Sequence, residues 1–356
     1  MSPRIHPARD PRAKPRERSR LVRLVRLWRT RRPTTFREKV RYKMLRDHRP
    51  LIVTFADKAA VRDHVAERVG AHVLPEAYAV LDDPSGLLDL ELPASYVVKP
   101  THGSGACVVV SPAAPADAVL PPAGTWWGYS HVRPDAVTRD ELAATARFWS
   151  SKLYGQGPNR EWAYGLVPPR VIVEEKLGAA PALQPTASVA STLQTAAPAP
   201  DDTPVAHGGP AIPAATDDTP VPQGGTPTAP PGDGIPDDYK LFVFHGRCRF
   251  IQVDAGRFGG RTQDFFDAEW NHLPMSGGPA WADPEPPRPA RFDEMISIAE
   301  RLGQDTDFVR VDLYHLPDRV VFGELTSYPA GGDSPFDPES FDLEFGRHWT
   351  VPRRYR

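Results

Sequence analysis

Cysteine is nearly missing from this chain: Cys107 and Cys248 are the two among 356 residues. That excludes a thiolate metal framework and a disulfide lattice, and it fits a reducing compartment. No apolar run approaches the roughly 18 residues that a membrane-spanning helix needs. The N-terminus is polar and basic and has no continuous apolar stretch of the signal-peptide kind. No Ser-His-Asp or Cys-His grouping stands out, which leaves side-chain nucleophilic catalysis without a candidate. Proline, by contrast, is in excess, at 42 residues against a usual share of about 5%, so part of the chain is not packed. With 40% hydrophobic and 25% charged residues, the rest is enough for a sizeable core.

Charge and proline are unevenly spread. Residues 1–50 carry 18 Lys and Arg against four Asp and Glu, a net +14, which leaves −16 for the remainder of a chain whose total is −2. We read 1–50 as a separate basic arm, partly disordered or helical. Within it, Leu21 to Trp28 can form a short amphipathic helix suited to an anionic membrane surface. Nucleic acid attracts the same charge, but the arm has few aromatics for stacking. A solvated basic tail is the other reading. Residues 179–234 are dominated by Ala, Pro, Thr and Gly, have no aromatics, and repeat Asp-Asp-Thr-Pro-Val at 201 and 217. Such a tract cannot bury enough apolar surface to offset its ordering entropy. It reads as a disordered insertion, because strand patterning resumes at once on its far side.

The densest chemistry lies near the C-terminus. Two alternating apolar runs, 308–314 and 319–325, flank His315-Leu-Pro-Asp318, a hairpin signal. With the turn centred on Asp318, Asp312 faces Glu324 and Arg310 faces Thr326. Residues two apart share a strand face, so all four project from one patch. Like charges so opposed destabilise a sheet and call for a cation between them. Mg²⁺ accepts one or two carboxylates, with waters and phosphates completing its shell. An edge hairpin with two solvated acids is the alternative. If a metal relieves the pair, then Asp312→Asn or Glu324→Gln holds or raises stability in its absence.

Upstream, Asp57-Lys58 opens an expected helix through about Arg68. Tyr96-Val-Val-Lys99-Pro-Thr-His-Gly103-Ser104-Gly105-Ala-Cys-Val-Val-Val110 reads as strand, glycine loop, strand. Glycines there can present N–H groups to phosphate oxygens, with Lys99 as a point charge beside them. An ordinary hairpin loop explains the segment equally well. Running from strand to strand, it is neither a P-loop nor a dinucleotide fingerprint. Thr138-Arg-Asp-Glu141 predicts a capping box and a helix to about Leu153. Arg170-Val-Ile-Val-Glu174-Glu175-Lys176-Leu177 is a strand ending in two acids; the main chain of 175–177 would suit adenine, and two surface glutamates at a strand end are the other reading. Asp238 and Lys240 share the face of a strand through Phe244, which turns at His245-Gly-Arg and returns as Cys248 to Asp254. Residues 255–289 look like an irregular loop on the substrate side, and Arg291 to Leu302 a helix ended by Gly303.

In this order the segments resemble the ATP-grasp superfamily and, more closely, its TupA-like group, associated with teichuronopeptide and other cell-surface polysaccharide synthesis. The resemblance covers roughly residues 51–350. It implies an α+β ATP-grasp fold of two α+β subdomains with ATP held between antiparallel sheets, the first part at 51–178 and the second, with the metal hairpin, at 235–356. It also implies that Lys58, Lys99 and Lys240 contact phosphates, that Glu174, Glu175, Lys176 and Leu177 cradle adenine, and that Asp238 meets the ribose. Asp312 and Glu324 match magnesium carboxylates, and Arg310 an arginine beside the transferred phosphate. The usual third metal ligand in this family is Asn, where this chain has Thr326, whose hydroxyl can still coordinate the metal or hold a water.

The implied activity is an ATP- and Mg²⁺-dependent, ADP-forming carboxylate–amine ligase working through an acyl phosphate on a small-molecule or glycan-precursor substrate. It would be cytoplasmic, bind no nucleic acid, and contact the inner membrane face through residues 1–50. A phosphotransferase acting on a sugar or polyol hydroxyl is one alternative. A non-catalytic nucleotide-binding scaffold is another.

Overall fold

The computed structural model describes residues 32–155, 161–178, 234–257 and 260–356. The readings made for Leu21 to Trp28 and for residues 179–233 lie outside them. Six helices and ten strands follow one another in the described chain. The helices are α1 (Phe36–Arg46), α2 (Pro50–Ala56), α3 (Val61–Val69), α4 (Arg139–Ser150), α5 (Phe292–Leu302) and α6 (Ser340–Arg347). Strands β1 (Ala77–Leu81), β2 (Tyr96–Pro100), β3 (Cys107–Val110), β4 (Tyr129–Val132) and β5 (Val171–Glu175) form one sheet in the order β1-β5-β2-β3-β4. Strands β6 (Asp238–Phe244), β7 (Arg247–Ala255), β8 (Thr262–Asp267), β9 (Phe308–His315) and β10 (Val320–Thr326) form the second, in the order β10-β9-β6-β7-β8. The second sheet is antiparallel throughout. The first is mixed, because β4 joins β3 in parallel, which corrects the expectation of two antiparallel sheets.

The period of two decides what each face does. In the first sheet Tyr96, Val98, Val108, Val110, Val171 and Val173 face α4 and pack with Leu142, Ala146 and Trp149. The capping box at Thr138 and Glu141 starts that helix as the sequence predicts. Val97, Lys99, Cys107 and Glu174 occupy the opposite face, which is left for a cleft. In the second sheet, Leu241, Val243, Val309, Val311 and Leu313 pack against α3 and α5. The other face changes character along its length. Phe242, Phe244, Phe250 and Phe308 are covered by α1 and α6, whereas Asp238, Lys240, Arg310 and Asp312 on the same face stay open to the first sheet.

The described end of the expected arm, residues 32–50, belongs to the folded body. Thr35 and Glu38 make a capping box at the start of α1. Phe36, Val40 and Met44 then enter the core, with the Phe36 ring 5.2 Å from Phe308 and 5.8 Å from Phe345. Even the basic residues are used: Lys43 is fully buried and donates to Asp47 at 2.9 Å, Thr306 at 2.9 Å and Asp307 at 2.5 Å. Charge counting hid this, because a buried lysine with three oxygen partners counts the same as a solvated one. Two smaller expectations also change. The chain at Asp57-Lys58 is the turn between α2 and α3, not a helix start, and the tract after 255 contains β8.

The boundary is testable. A chain beginning at residue 32 should keep the cooperative melt of the full protein by circular dichroism, and one beginning at residue 51 should lose it. Phe36→Ala should cost about 3–5 kcal/mol, the usual range for a fully buried phenylalanine. Equal melting of the two truncated chains would restore the original boundary at 50.

Candidate functional site

Lys58 is positioned by the turn that carries it. Asp57 caps α2 and accepts from Arg170 Nη2 at 2.7 Å. Lys58 N donates to Thr101 O at 3.1 Å, and Thr101 N to Arg170 O at 2.9 Å. The turn is thereby fixed to the glycine loop and the start of β5. From there the Lys58 ammonium donates to Gly103 O and lies 3.7 Å from Glu324. Burial pulls this ammonium below its ordinary range, and Glu324 partly offsets that. The glycine loop is held in turn by Trp127, whose Nε1 donates to Ser104 O at 2.8 Å. A Cβ on Gly103 would come within 2.7 Å of Trp127 and 2.9 Å of Tyr154, so glycine is required by close approach.

The hairpin of β9 and β10 pairs Asp312 with Glu324 and Arg310 with Thr326, as the sequence suggests. The register arises differently. Nearer the turn Phe322 pairs with Leu313 and Val320 with His315, and a bulge at Gly323 shifts the pairing by one. A Cβ there would stand 3.0 Å from Asp312 O. The cation between the acids is Arg310. It donates to Asp312 Oδ1 and Oδ2 at 2.7 Å each, to Glu324 Oε1 at 3.3 Å and to Thr326 Oγ1 at 3.1 Å. Burial alone would raise the Glu324 carboxyl. Lys58, Arg310 and Lys240, with a hydrogen bond from Thr326, outweigh it and bring Glu324 down to about 2. Burial likewise opposes the Arg310 charge, yet Asp312 and Glu324 hold it above its ordinary value.

Lys240 ties β6 into this group, 2.6 Å from Asp238, 3.4 Å from Asp312 and 3.6 Å from Asp254. Across the cleft Lys99 pairs with Glu174, and Arg319 donates to Glu175 at 2.7 Å. The cleft between the sheets holds about 400 Å³ and is lined from both sides, a size suited to a small ligand. It brings together Lys58, Lys99, Ser104, Gly105, the run Glu174 to Leu177, Asp238, Lys240, Arg310, Asp312 and Glu324. Gly103 and Thr326 stand just behind its wall. Among the described residues no group of three or more His, Cys, Asp or Glu side chains is placed to hold a metal ion.

Several contributors were not foreseen. Asp254 pairs in register with Asp238, a position that the 238–254 hairpin already implied. Arg257 pairs with Asp238, lies 4.9 Å over the Tyr129 ring and lines the cleft together with Arg261. Tyr129 comes from β4, an element the sequence did not reveal. Burial first, and the Glu324 charge second, push the Glu161 carboxyl up to about 7.

Residues 233–350 match the family model described as TupA-like ATPgrasp, the third of the chain that carries β6 to α6. No curated protein matches. Solved structures of the ATP-grasp ligase PsnB resemble the chain at 10% identity. The complex with a phosphomimetic variant of its minimal precursor, Mg and ADP has a TM-score of 0.32 and covers 88% of this chain and 59% of that one. The complex with minimal precursor alone has a TM-score of 0.36 and covers 93% and 70%. This chain thus spans about three fifths of the length of the first.

Two carboxyls of the site should respond to pH in opposite senses. Glu324 is depressed, so it stabilises the fold above the usual glutamate range and loses that contribution as pH falls toward 2. Glu324→Gln should therefore destabilise at pH 7, by about 1–3 kcal/mol, because it leaves Lys58 and Arg310 with less counter-charge. This reverses the expectation that relieving the acid pair holds or raises stability. Glu161 is raised, so its ionisation costs stability increasingly from about pH 4.5 to about 7. Glu161→Gln should gain about 1–3 kcal/mol at pH 8 and nothing at pH 4. Thermal melts of both variants across this range check the signs, and two shifts of the same sign at pH 8 would contradict the site electrostatics.

Proposed function

We propose that this protein is an ATP- and Mg²⁺-dependent carboxylate–amine ligase that forms an amide through an acyl phosphate and releases ADP. The observation that carries the reading is the convergence of Lys58, Lys99, Lys240 and Arg310 with Asp312 and Glu324 on one cleft between two sheets. These six residues come from five separate elements. A polyphosphate needs such a set: several cations for its oxygens and two acids for its metal.

The residues fit magnesium by their chemistry. Asp312 and Glu324 are hard oxygen donors, opposed in register on one sheet face, and one or two carboxylates are what Mg²⁺ takes from a protein when a nucleotide supplies the rest. Arg310 already marks their shared surroundings as a cation position. When bound, Mg²⁺ would neutralise phosphate charge. The remaining work belongs to the chain. Lys99 on the first sheet and Lys58 on the α2–α3 turn would hold the phosphates, with the main chain of Ser104 and Gly105 beside them on the cleft wall. Arg310 stabilises charge at the transferred phosphoryl group, a positioning and electrostatic role that needs no side-chain nucleophile. Glu175, Lys176 and Leu177 offer a strand edge to adenine, and Asp238 a partner for the ribose. Work on a cell-surface glycan or teichuronopeptide-like precursor is the substrate class that the TupA-like resemblance supports.

The test uses hydroxylamine, which traps an acyl phosphate without the natural amine. A panel of carboxylic acids with ATP, Mg²⁺ and hydroxylamine should show acid-dependent ADP release and a hydroxamate product. Asp312→Asn should reduce it at least 100-fold, on the scale of losing one electrostatic contact to the transition state. ADP release with a phosphorylated alcohol as product, or full turnover by Asp312→Asn, would overturn the reading.

A further inference from the structure

The glycine loop after β2 is held from behind at several points. Thr101 O accepts from Lys58 N at 3.1 Å, Gly103 O from the Lys58 ammonium, and Ser104 O from Trp127 Nε1 at 2.8 Å. Three of its carbonyls are thus taken by protein donors. Neither donor residue sits in a helix or a strand: Lys58 belongs to the α2–α3 turn, and Trp127 to the long connection between β3 and β4.

His102 supplies a further hold, and this one reaches a helix. Its side chain is buried and does not line the cleft. Its Nε2 lies 3.1 Å from Trp149 O, in the last turn of α4. A carbonyl can only accept, so Nε2 carries the proton and donates. Carbonyls in a last helical turn lack intrahelical donors, and a histidine N–H suits one of them. Trp149 O also accepts from Lys152 N at 2.9 Å and has a second lone pair for the ring. Trp149 is fully buried in the core that joins α4 to the first sheet. The Trp127 ring closes the remaining side, edge-on to His102 at 6.1 Å and to Trp149 at 6.4 Å.

The other ring nitrogen shows what the histidine is for. Burial pulls the ring below the ordinary histidine range and keeps it neutral at pH 7, so Nδ1 is bare. That atom is buried without a hydrogen-bond partner, which is costly. A leucine would fill the same space without that cost. What the histidine adds is the Nε2–H bond to α4.

We propose that His102 is a positioning residue for nucleotide, fixing the glycine loop to the end of α4 through its Nε2–H. This rests on the reading of the cleft as a nucleotide site. His102 touches no ligand and acts through the main chain on either side of it. Thr101 N donates to Arg170 O at 2.9 Å, just before β5, and Gly103 O holds the Lys58 ammonium. A displaced ring therefore shifts both Lys58 and the cleft-lining Ser104 and Gly105. Groups that must meet a ligand within a fraction of an ångström need a rigid reference, and the packed end of α4 is one.

Three full-length variants separate the N–H from the space it fills. His102→Leu fills the space without a donor. His102→Gln puts an amide N–H where Nε2 stood, and His102→Asn puts one where Nδ1 stood. Calorimetric titration with ADP and Mg²⁺ should find His102→Leu and His102→Asn about tenfold weaker than the wild type, on the scale of one hydrogen bond. His102→Gln should stay within threefold. Wild-type affinity in His102→Leu, or His102→Gln as weak as His102→Leu, overturns the role. Amide exchange of residues 101–107 in the ligand-free proteins is the second readout. It should be about tenfold faster in His102→Leu and His102→Asn than in the wild type and His102→Gln, and equal exchange in all four overturns the tether. If His102→Leu fails to fold, the Asn and Gln pair carries both comparisons. If the wild type binds no ADP, the nucleotide reading falls, and exchange alone decides whether His102 holds the loop.

Discussion

Two acids set opposite one another on neighbouring strands constrain everything around them. Asp312 and Glu324 cannot share a sheet face as free anions without cost. The fold answers with cations drawn from separate parts of the chain: Arg310 from β9, Lys240 from β6 and Lys58 from the α2–α3 turn. Each brings its own supports. Lys58 needs Asp57, Arg170 and the glycine loop, and Lys240 needs Asp238 and Asp254. The ionic group thus joins the second sheet to the first through the walls of the cleft. The bulge at Gly323 makes the pairing possible, because it lets β10 close on the Asp312 carbonyl.

The same sheet face explains why the group holds its shape. Two residues along from Lys240 and Arg310, the face turns aromatic: Phe242, Phe244 and Phe308 pack under α1 and α6. The charged half is therefore backed by a packed core and not by solvent. That core depends on residues 36–46 and on the C-terminal segment. Trp349 and Tyr355 both donate to Asp307, at 2.7 and 2.8 Å, and Asp307 also holds Lys43. The site draws on residues from Lys58 to Glu324, and its foundation on the segments that flank them, α1 and the stretch from Phe345 to Tyr355.

Much of the site was legible because it obeys short-range rules. Period two placed Arg310 with Asp312 and Asp238 with Lys240, and a hairpin sum placed Glu324 and Thr326. What failed were features set by distant packing. The basic count of residues 1–50 could not show that Lys43 is buried against Asp307. β1, β4 and β8 carry too little alternation to stand out, since each is short and no residue of β1 is fully buried. The Gly323 bulge left no trace beyond a lone glycine, and the expected register was right near Asp312 only because the bulge compensates a turn one residue out of place.

The central claim is that Asp312 and Glu324 accept a divalent cation together with a nucleotide while Arg310 turns to its phosphate. Calorimetric titration of ADP with and without Mg²⁺ tests it most directly. The account predicts that Mg²⁺ tightens ADP binding at least tenfold in the wild type and by less than twofold in Asp312→Asn. Equal ADP affinity with and without Mg²⁺ in the wild type would contradict it.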